Sequence, residues 1–343
     1  MKIIQVGSGN WGRSWMEYIK NDPECELVAL VSRPGKNLEL AKEKLGIPDE
    51  ICYSDYDEAL KLDCDLVVIA LPHKLHLEYA RKAVEAGKNV VIEKPLCEDL
   101  EEAKQFRDYV ATKPGQHVFV SQNFRFRKQF WQIKSSFGED GIGRPQWADV
   151  VFRQGLSHRP ENSENNWKTD SWRGEQVSIL FLESAIHFFD MMRFLCDSNV
   201  KDVYAIAWEP YWGKIGDYQS SMVILQFENG FKVNFDVSLC SIGFETGWQC
   251  NWMIQTDLGA AEWKYDGPVD LVMSYETEGR DLKEEFYFPG QDRAGVLNEL
   301  KKGIKGEPCA VPTVEDNLNS LAISFAAMKS IEEQRVVSMS EVL

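Results

Sequence analysis

Hydrophobic and polar positions along the chain fall into two regimes. Through residues 1–122, short unbroken apolar runs alternate with stretches that are apolar at helical spacing. Runs at 2–6, 26–31, 65–71, 89–92 and 117–121 read as strands. They do not alternate, so they predict strands covered on both faces, as parallel sheets require. Helices are predicted after the first run (Arg13 to Lys20), at 37–45 before Gly46 and Pro48, at 75–86 before Gly87, and at 100–110. Ser54 and Asp55 are caps for a short helix reaching Lys61. The alternation predicts a doubly wound parallel sheet in an α/β fold.

Beyond residue 122 the pattern changes. A helix is predicted at 128–137 and a turn at 138–143. Segments 218–227 and 231–239 alternate apolar and polar residues around Glu228-Asn229-Gly230, a strong hairpin signal. Further strands are predicted at 249–255, 260–264 and 285–288, and helices at 294–304 and 314–333. This half reads as an antiparallel sheet with one face free for packing. Two domains are expected, 1–122 and 123–343.

The chain has 343 residues, 44% hydrophobic and 27% charged, which suits an ordinary globular protein of two domains. Its net charge of −16 argues against nucleic-acid binding, which rests on Lys and Arg meeting phosphate. The 8 cysteines form no C-x-x-C pair and predict reduced, inert thiols. No signal-peptide core is seen, and no apolar run reaches the ~20 residues that span a bilayer. A cytoplasmic protein with no membrane partner is expected.

Ligands of doubly wound sheets lie beyond the carboxyl ends of the strands. The first exit reads Gly7-Ser8-Gly9-Asn10-Trp11-Gly12, a G-x-G-x-x-G turn between strand and helix. Gly7 permits the turn, Gly9 lets a pyrophosphate approach the backbone, and Gly12 lets the helix pack near the strand. The helix N-terminus then offers N–H groups and partial positive charge to an anion. At the second exit, where an NAD site usually carries an acid, stand Ser32 and Arg33, with Lys36 close by. A guanidinium there suits a 2′-phosphate, so NADP is favoured over NAD.

Residues 86–95, Ala-Gly-Lys-Asn-Val-Val-Ile-Glu-Lys-Pro, closely match A-G-K-x-V-x-x-E-K-P. With the glycine turn and Ala70-Leu71-Pro72-His73-Lys74-Leu75-His76, the chain resembles the glucose–fructose oxidoreductase / inositol dehydrogenase / MocA family over most of its length. The resemblance implies a Rossmann domain followed by an α+β domain with a large open antiparallel sheet, used for substrate binding and oligomer contacts. It places Lys94 beside the nicotinamide, touching the reacting oxygen. A cation there stabilises the negative charge that grows on that oxygen during hydride transfer. Glu93 orders the turn, and Leu71, Pro72, His73 and His76 fall on the cofactor side. His73 and His76 have the spacing of a metal pair but no third ligand, so no metal is expected.

Residues 179–195 contain Glu183, His187 and Asp190, which a helix sets on one face. The segment resembles the family's G-G-G-x-L-x-D-x-G-x-H-x-x-D. By that resemblance His187 is the general acid/base and Glu183, in place of Asp, assists. The glycines are missing, and Ala185 replaces one of them. Imidazole suits proton exchange near neutral pH; a buried histidine bonded to Asp190 or Glu183 is the plainer alternative. Trp172 and Arg173 match a family pair near the substrate, and Arg125 is grouped with them.

The resemblance implies an enzyme, a dehydrogenase or reductase moving a hydride to or from a secondary hydroxyl or carbonyl of a sugar, polyol or cyclitol. The cofactor is NADP or NAD, and the protein is a homodimer or homotetramer. Two alternatives stay open: a glycosidase that borrows and returns the hydride, and a non-catalytic dinucleotide-binding regulator.

Overall fold

The computed structural model describes residues 1–156, 177–213, 218–265, 267–273 and 285–343. Two compact units emerge, one formed by Met1–Phe126 with Pro289–Leu318, the other by Arg127–Phe288 with Asn319–Leu343.

The first unit holds strands β1 (Lys2–Val6), β2 (Glu26–Val31), β3 (Cys52–Tyr53), β4 (Leu66–Ile69), β5 (Asn89–Glu93) and β6 (Val118–Ser121). They form one parallel sheet in the order β3-β2-β1-β4-β5-β6. All four residues of β4 and of β6 are buried, which is why their runs show no alternation. Connecting helices are α1 (Asn10–Asn21), α2 (Lys36–Leu45), α3 (Tyr56–Ala59), α4 (His76–Glu85) and α5 (Leu100–Ala111). Asp55 caps α3 by accepting from the N–H groups of Asp57 and Glu58, and Asp99 caps α5 through Glu102. The order reverses about β1 and β4, so the crevice beyond their carboxyl ends is the ligand position of this fold. The two-residue edge strand β3 is too short to show in the apolar pattern.

The second unit holds helix α6 (Lys128–Ser135) and strand β7 (Pro145–Arg153). A seven-residue π-helical turn, Ile179–Ala185, leads into α7 (Ile186–Cys196). Strands β8 (Val200–Trp208), β9 (Ser220–Phe227), β10 (Lys232–Ser238), β11 (Asn251–Thr256), β12 (Gly259–Trp263) and β13 (Val269–Met273) follow. With β14 (Val337–Ser338) they form an eight-stranded sheet in the order β13-β12-β11-β7-β10-β9-β8-β14. The predicted hairpin joins β9 and β10 in antiparallel register, and Gly230 at its turn has φ +90°. One pair, β10 with β7, is parallel in a sheet otherwise paired antiparallel.

Alternation in β9 and β10 buries Val223, Leu225, Phe227, Val233, Phe235 and Val237 on one face. There they meet α7, whose Phe188 and Phe189 rings lie 5.6 and 5.8 Å from the Phe235 ring. The opposite face leaves Trp147, Ile206, Met222, Ile224 and Met253 exposed. The aromatic stretch 285–288 forms no strand. Its Tyr287 and Phe288 rings pack on Trp131 of α6 at 5.6 and 6.4 Å instead. Helix α8 (Asp292–Gly303) belongs to the first unit, and α9 (Val314–Glu333) precedes β14. Among the described residues no helix is long and apolar enough to cross a membrane.

Candidate active site

The glycine turn is fixed by backbone packing. Gly7 has φ +99°, and a Cβ on it would stand 2.2 Å from the Ala70 carbonyl oxygen at the exit of β4. A Cβ on Gly12 would stand 2.1 Å from the Gly7 carbonyl oxygen. Both positions therefore need glycine for packing alone. At Gly9 an added Cβ would meet nothing within 4 Å, so this glycine faces open space. Buried Gln5 braces the turn, its Nε2 donating to the carbonyl oxygens of Val6 and Gly7 at 3.2 Å each.

Helix α1 begins at Asn10 with no side-chain cap and no acid in its first turn. Its leading N–H groups have no intrahelical acceptor, and no acid of the first turn competes for them. Open space at Gly9 beside an uncapped N-terminus fits the pyrophosphate of a dinucleotide. Ser8 Oγ lies 2.6 Å from Ser32 Oγ, which links the glycine turn to the exit of β2. Arg33 beside it is exposed. Arg13 adds a second guanidinium. Its Nη1 donates to Ser8 O at 2.7 Å and to Asn37 Oδ1 at 3.4 Å, and its Nη2 bonds Asn10 Oδ1. The sequence signal for Arg13 was only a base one residue past the last glycine.

Strand β5 delivers Glu93 and Lys94 to the next exit, both buried, with a cis peptide between Lys94 and Pro95. Glu93 Oε1 accepts from Trp15 Nε1 of α1 and from Arg293 Nη2 of α8, each at 2.7 Å. Arg293 carried no signal in the sequence, because periodicity does not say to which strand ends a late helix returns.

His76 is fully buried at the start of α4. Its Nδ1 is 2.9 Å from Pro95 O and its Nε2 2.9 Å from Leu71 O. The ring thus sits between two strand exits, and a neutral imidazole donates to one of these oxygens at a time. Burial pushes its pKa down to about 4, and the neighbouring His73 ring adds to this. The two carbonyls and Glu93 pull the other way. His73 Nδ1 lies 2.9 Å from Glu98 Oε1. Among the described residues no group of three or more potential metal ligands converges.

Arg125, just past β6, is buried. It donates from Nη1 to Ala310 O at 3.1 Å and from Nη2 to Asp316 at 3.0 Å. That engagement ties the segment after β6 to the first turn of α9 and the residues before it.

In the second unit, Glu183 and His187 are both buried. They are not on one continuous α-helix: Glu183 lies in the π-helical turn and His187 in the first turn of α7. A π turn is wider than an α turn, and such turns often occur at functional sites. Ser178 Oγ accepts from Phe181 N at 3.2 Å at its start, and Ser324 of α9 donates to Phe181 O at 3.1 Å. Asp190 accepts from Ser320 Oγ at 3.0 Å, and that hydroxyl accepts from Arg193 Nη1 at 2.8 Å. Trp172 and Arg173 lie outside the described residues.

A family model described as an oxidoreductase family with an NAD-binding Rossmann fold matches residues 1–122. A model of the GFO/IDH/MocA C-terminal domain matches residues 130–262. The chain is 27% identical to a myo-inositol 2-dehydrogenase of Thermotoga maritima, over 100% of both proteins. It is 25% identical to a 1,5-anhydro-D-fructose reductase of Ensifer adhaerens, covering 95% of this chain and 94% of the relative. An oxidoreductase from Agrobacterium radiobacter, solved in complex with NAD+, L-tartaric acid and magnesium, shares the fold with a TM-score of 0.83. The identity is 21%, over 100% of this chain and 99% of that one. Two matched domains in the expected order, on a Rossmann sheet followed by an eight-stranded sheet, establish that the chain belongs to the GFO/IDH/MocA family of oxidoreductases.

Proposed function

We propose that the protein is an NADP-preferring dehydrogenase or reductase acting on a secondary hydroxyl or carbonyl of a sugar, polyol or cyclitol. The observation that carries this reading is a buried Lys94 at the exit of β5, in the same unit as an uncapped helix N-terminus facing open space at Gly9. The inositol dehydrogenase and anhydrofructose reductase relatives support the substrate class. Nicotinamide, when bound, supplies or accepts the hydride.

This chain's residues do the rest. Lys94 donates to the reacting oxygen and stabilises its developing negative charge. His187 takes up or returns the hydroxyl proton, with Glu183 assisting. Leu71, Pro72, His73 and Glu93 line the nicotinamide side. The preference for NADP rests on Ser32, Arg33 and the additional guanidinium of Arg13, with no acid at the exit of β2, where an NAD site usually carries one. Apolar Ile206, Met222 and Ile224 on the open sheet face support self-association into dimers or tetramers.

A panel of polyols, cyclitols and sugars, followed by nicotinamide absorbance, tests the reading. Turnover with NADP or NADPH that Lys94→Ala abolishes supports it. Nucleotide binding without turnover across the panel points to a regulator, and aglycone release at constant absorbance points to a glycosidase.

A further inference from the structure

We infer that Arg293 is a positioning residue: it ties the Glu93-Lys94-Pro95 turn to the first turns of α1 and so sets where Lys94 and Trp11 stand. This rests on the function proposed above, and adds a residue from the far end of the chain to it.

The geometry is specific. Arg293 Nη2 donates to Glu93 Oε1 at 2.7 Å, and the two side chains are 5% and 6% exposed. Its guanidinium carbon lies 5.2 Å from the Trp11 ring centre and 5.6 Å from that of Trp15. Nη1 reaches Ser14 Oγ at 3.4 Å. One cation therefore meets the carboxylate before Lys94 and two indoles of the glycine-turn helix. Trp15 closes the triangle by donating to the same Glu93 oxygen.

Arg293 itself is presented from a fixed base. Asp292 N donates to Phe126 O at 2.8 Å, and Asn123 Nδ2 donates to Asp292 Oδ1 at 2.8 Å. A Cβ on Gly295 would lie 2.6 Å from the Phe126 ring, so α8 rests directly on the segment after β6.

A buried ion pair is a poor source of net stability, because desolvation offsets the attraction. What this one supplies is direction. Trp11 is half exposed, and its indole is held by the cation rather than by burial. Glu93 accepts from two elements at one oxygen, which holds that oxygen between α1 and α8. Misplacing a catalytic group by about 1 Å costs on the order of a hundredfold in rate, so the anchor of the residue next to Lys94 matters to the chemistry.

The test uses the full-length protein, with thermal unfolding and NADPH titration followed by nicotinamide emission. Arg293→Met leaves Glu93 charged and buried. It is expected to lower the unfolding midpoint and weaken NADPH binding about tenfold, the effect of roughly one charge-assisted hydrogen bond. Adding Glu93→Gln removes the stranded charge. The double variant is expected to recover the midpoint but to keep the weakened binding and an altered emission spectrum. Arg293→Lys retains the charge but cannot lie flat on the indoles. It is expected to keep the midpoint and lose affinity severalfold. If folded double or Lys variants bind NADPH with wild-type affinity and emission, Arg293 is only structural and the inference is wrong. Failure of the wild type to bind NADPH or NADH would sink the proposed function instead, and the inference with it.

Discussion

The hydroxyls of Ser8 and Ser32 stand 2.6 Å apart and join the glycine turn to the exit of β2. Two strand-exit loops are thereby held together by a bond that uses no charge. Arg33 and Arg13 remain to provide the positive charge of this corner. Ser32→Asp should break the hydroxyl pair and place an acid where a 2′-phosphate would lie. NADPH affinity should fall at least about tenfold relative to NADH, one charge-assisted contact being replaced by repulsion. Parallel titrations with the two nucleotides check this; an unchanged ratio would remove this corner from cofactor selection.

The glycines of the turn separate by role. Gly12→Ala pushes a methyl group to 2.1 Å from a backbone oxygen, and Gly9→Ala pushes one into open space. Gly12→Ala should cost about 3 kcal/mol of stability or more, since backbone must move. Gly9→Ala should leave the unfolding midpoint near wild type and weaken dinucleotide binding. Thermal unfolding beside nucleotide titration of both variants separates the two effects.

His76 predicts an acid sensitivity. Its folded pKa is depressed to about 4 from 6.5, chiefly by burial. Below pH 6.5 the unfolded chain takes up a proton that the folded chain refuses. The contribution is thus fully present above that pH and is lost as pH falls toward 4, by up to roughly 3 kcal/mol. Unfolding measured across this window should show stability falling with acid. His76→Gln should flatten that limb.

The proton transfer proposed for His187 has its own signature. His187→Ala should lower kcat by about 10²–10⁴ while nucleotide affinity stays within about twofold, the loss expected of a general acid/base. Steady-state kinetics beside NADPH titration checks it. Retained kcat would return His187 to the role of a buried helix histidine.

Much of the fold was legible because it rests on periodicity. Unbroken apolar runs marked β2 at its observed residues, and Asn229-Gly230 marked the turn between β9 and β10. The candidate site was proposed from short motifs, the glycine turn and Glu93-Lys94-Pro95, which the fold sets at the exits of β1 and β5. Other features left weak or no local signals. Strand β7 mixes buried Ala148, Val150 and Phe152 with exposed Trp147, which blurs its alternation. Residues 285–288 have a strand-like pattern, but their aromatics cover Trp131. The π turn at Glu183 depends on how α7 is packed, and Arg293 reaches Glu93 across 200 residues of sequence. Contacts of that range belong to the tertiary structure and have no spacing rule.

Hydride transfer itself is the most direct test. A polyol or cyclitol that turns over, deuterated at its carbinol carbon, is incubated with the protein and NADP, and the nicotinamide is analysed by mass and NMR. Deuterium is expected on one face of nicotinamide C4, in proportion to oxidised product, and none with Lys94→Ala. Oxidised product without label on the nicotinamide, or label returned to a hydrolysed glycoside, would contradict it.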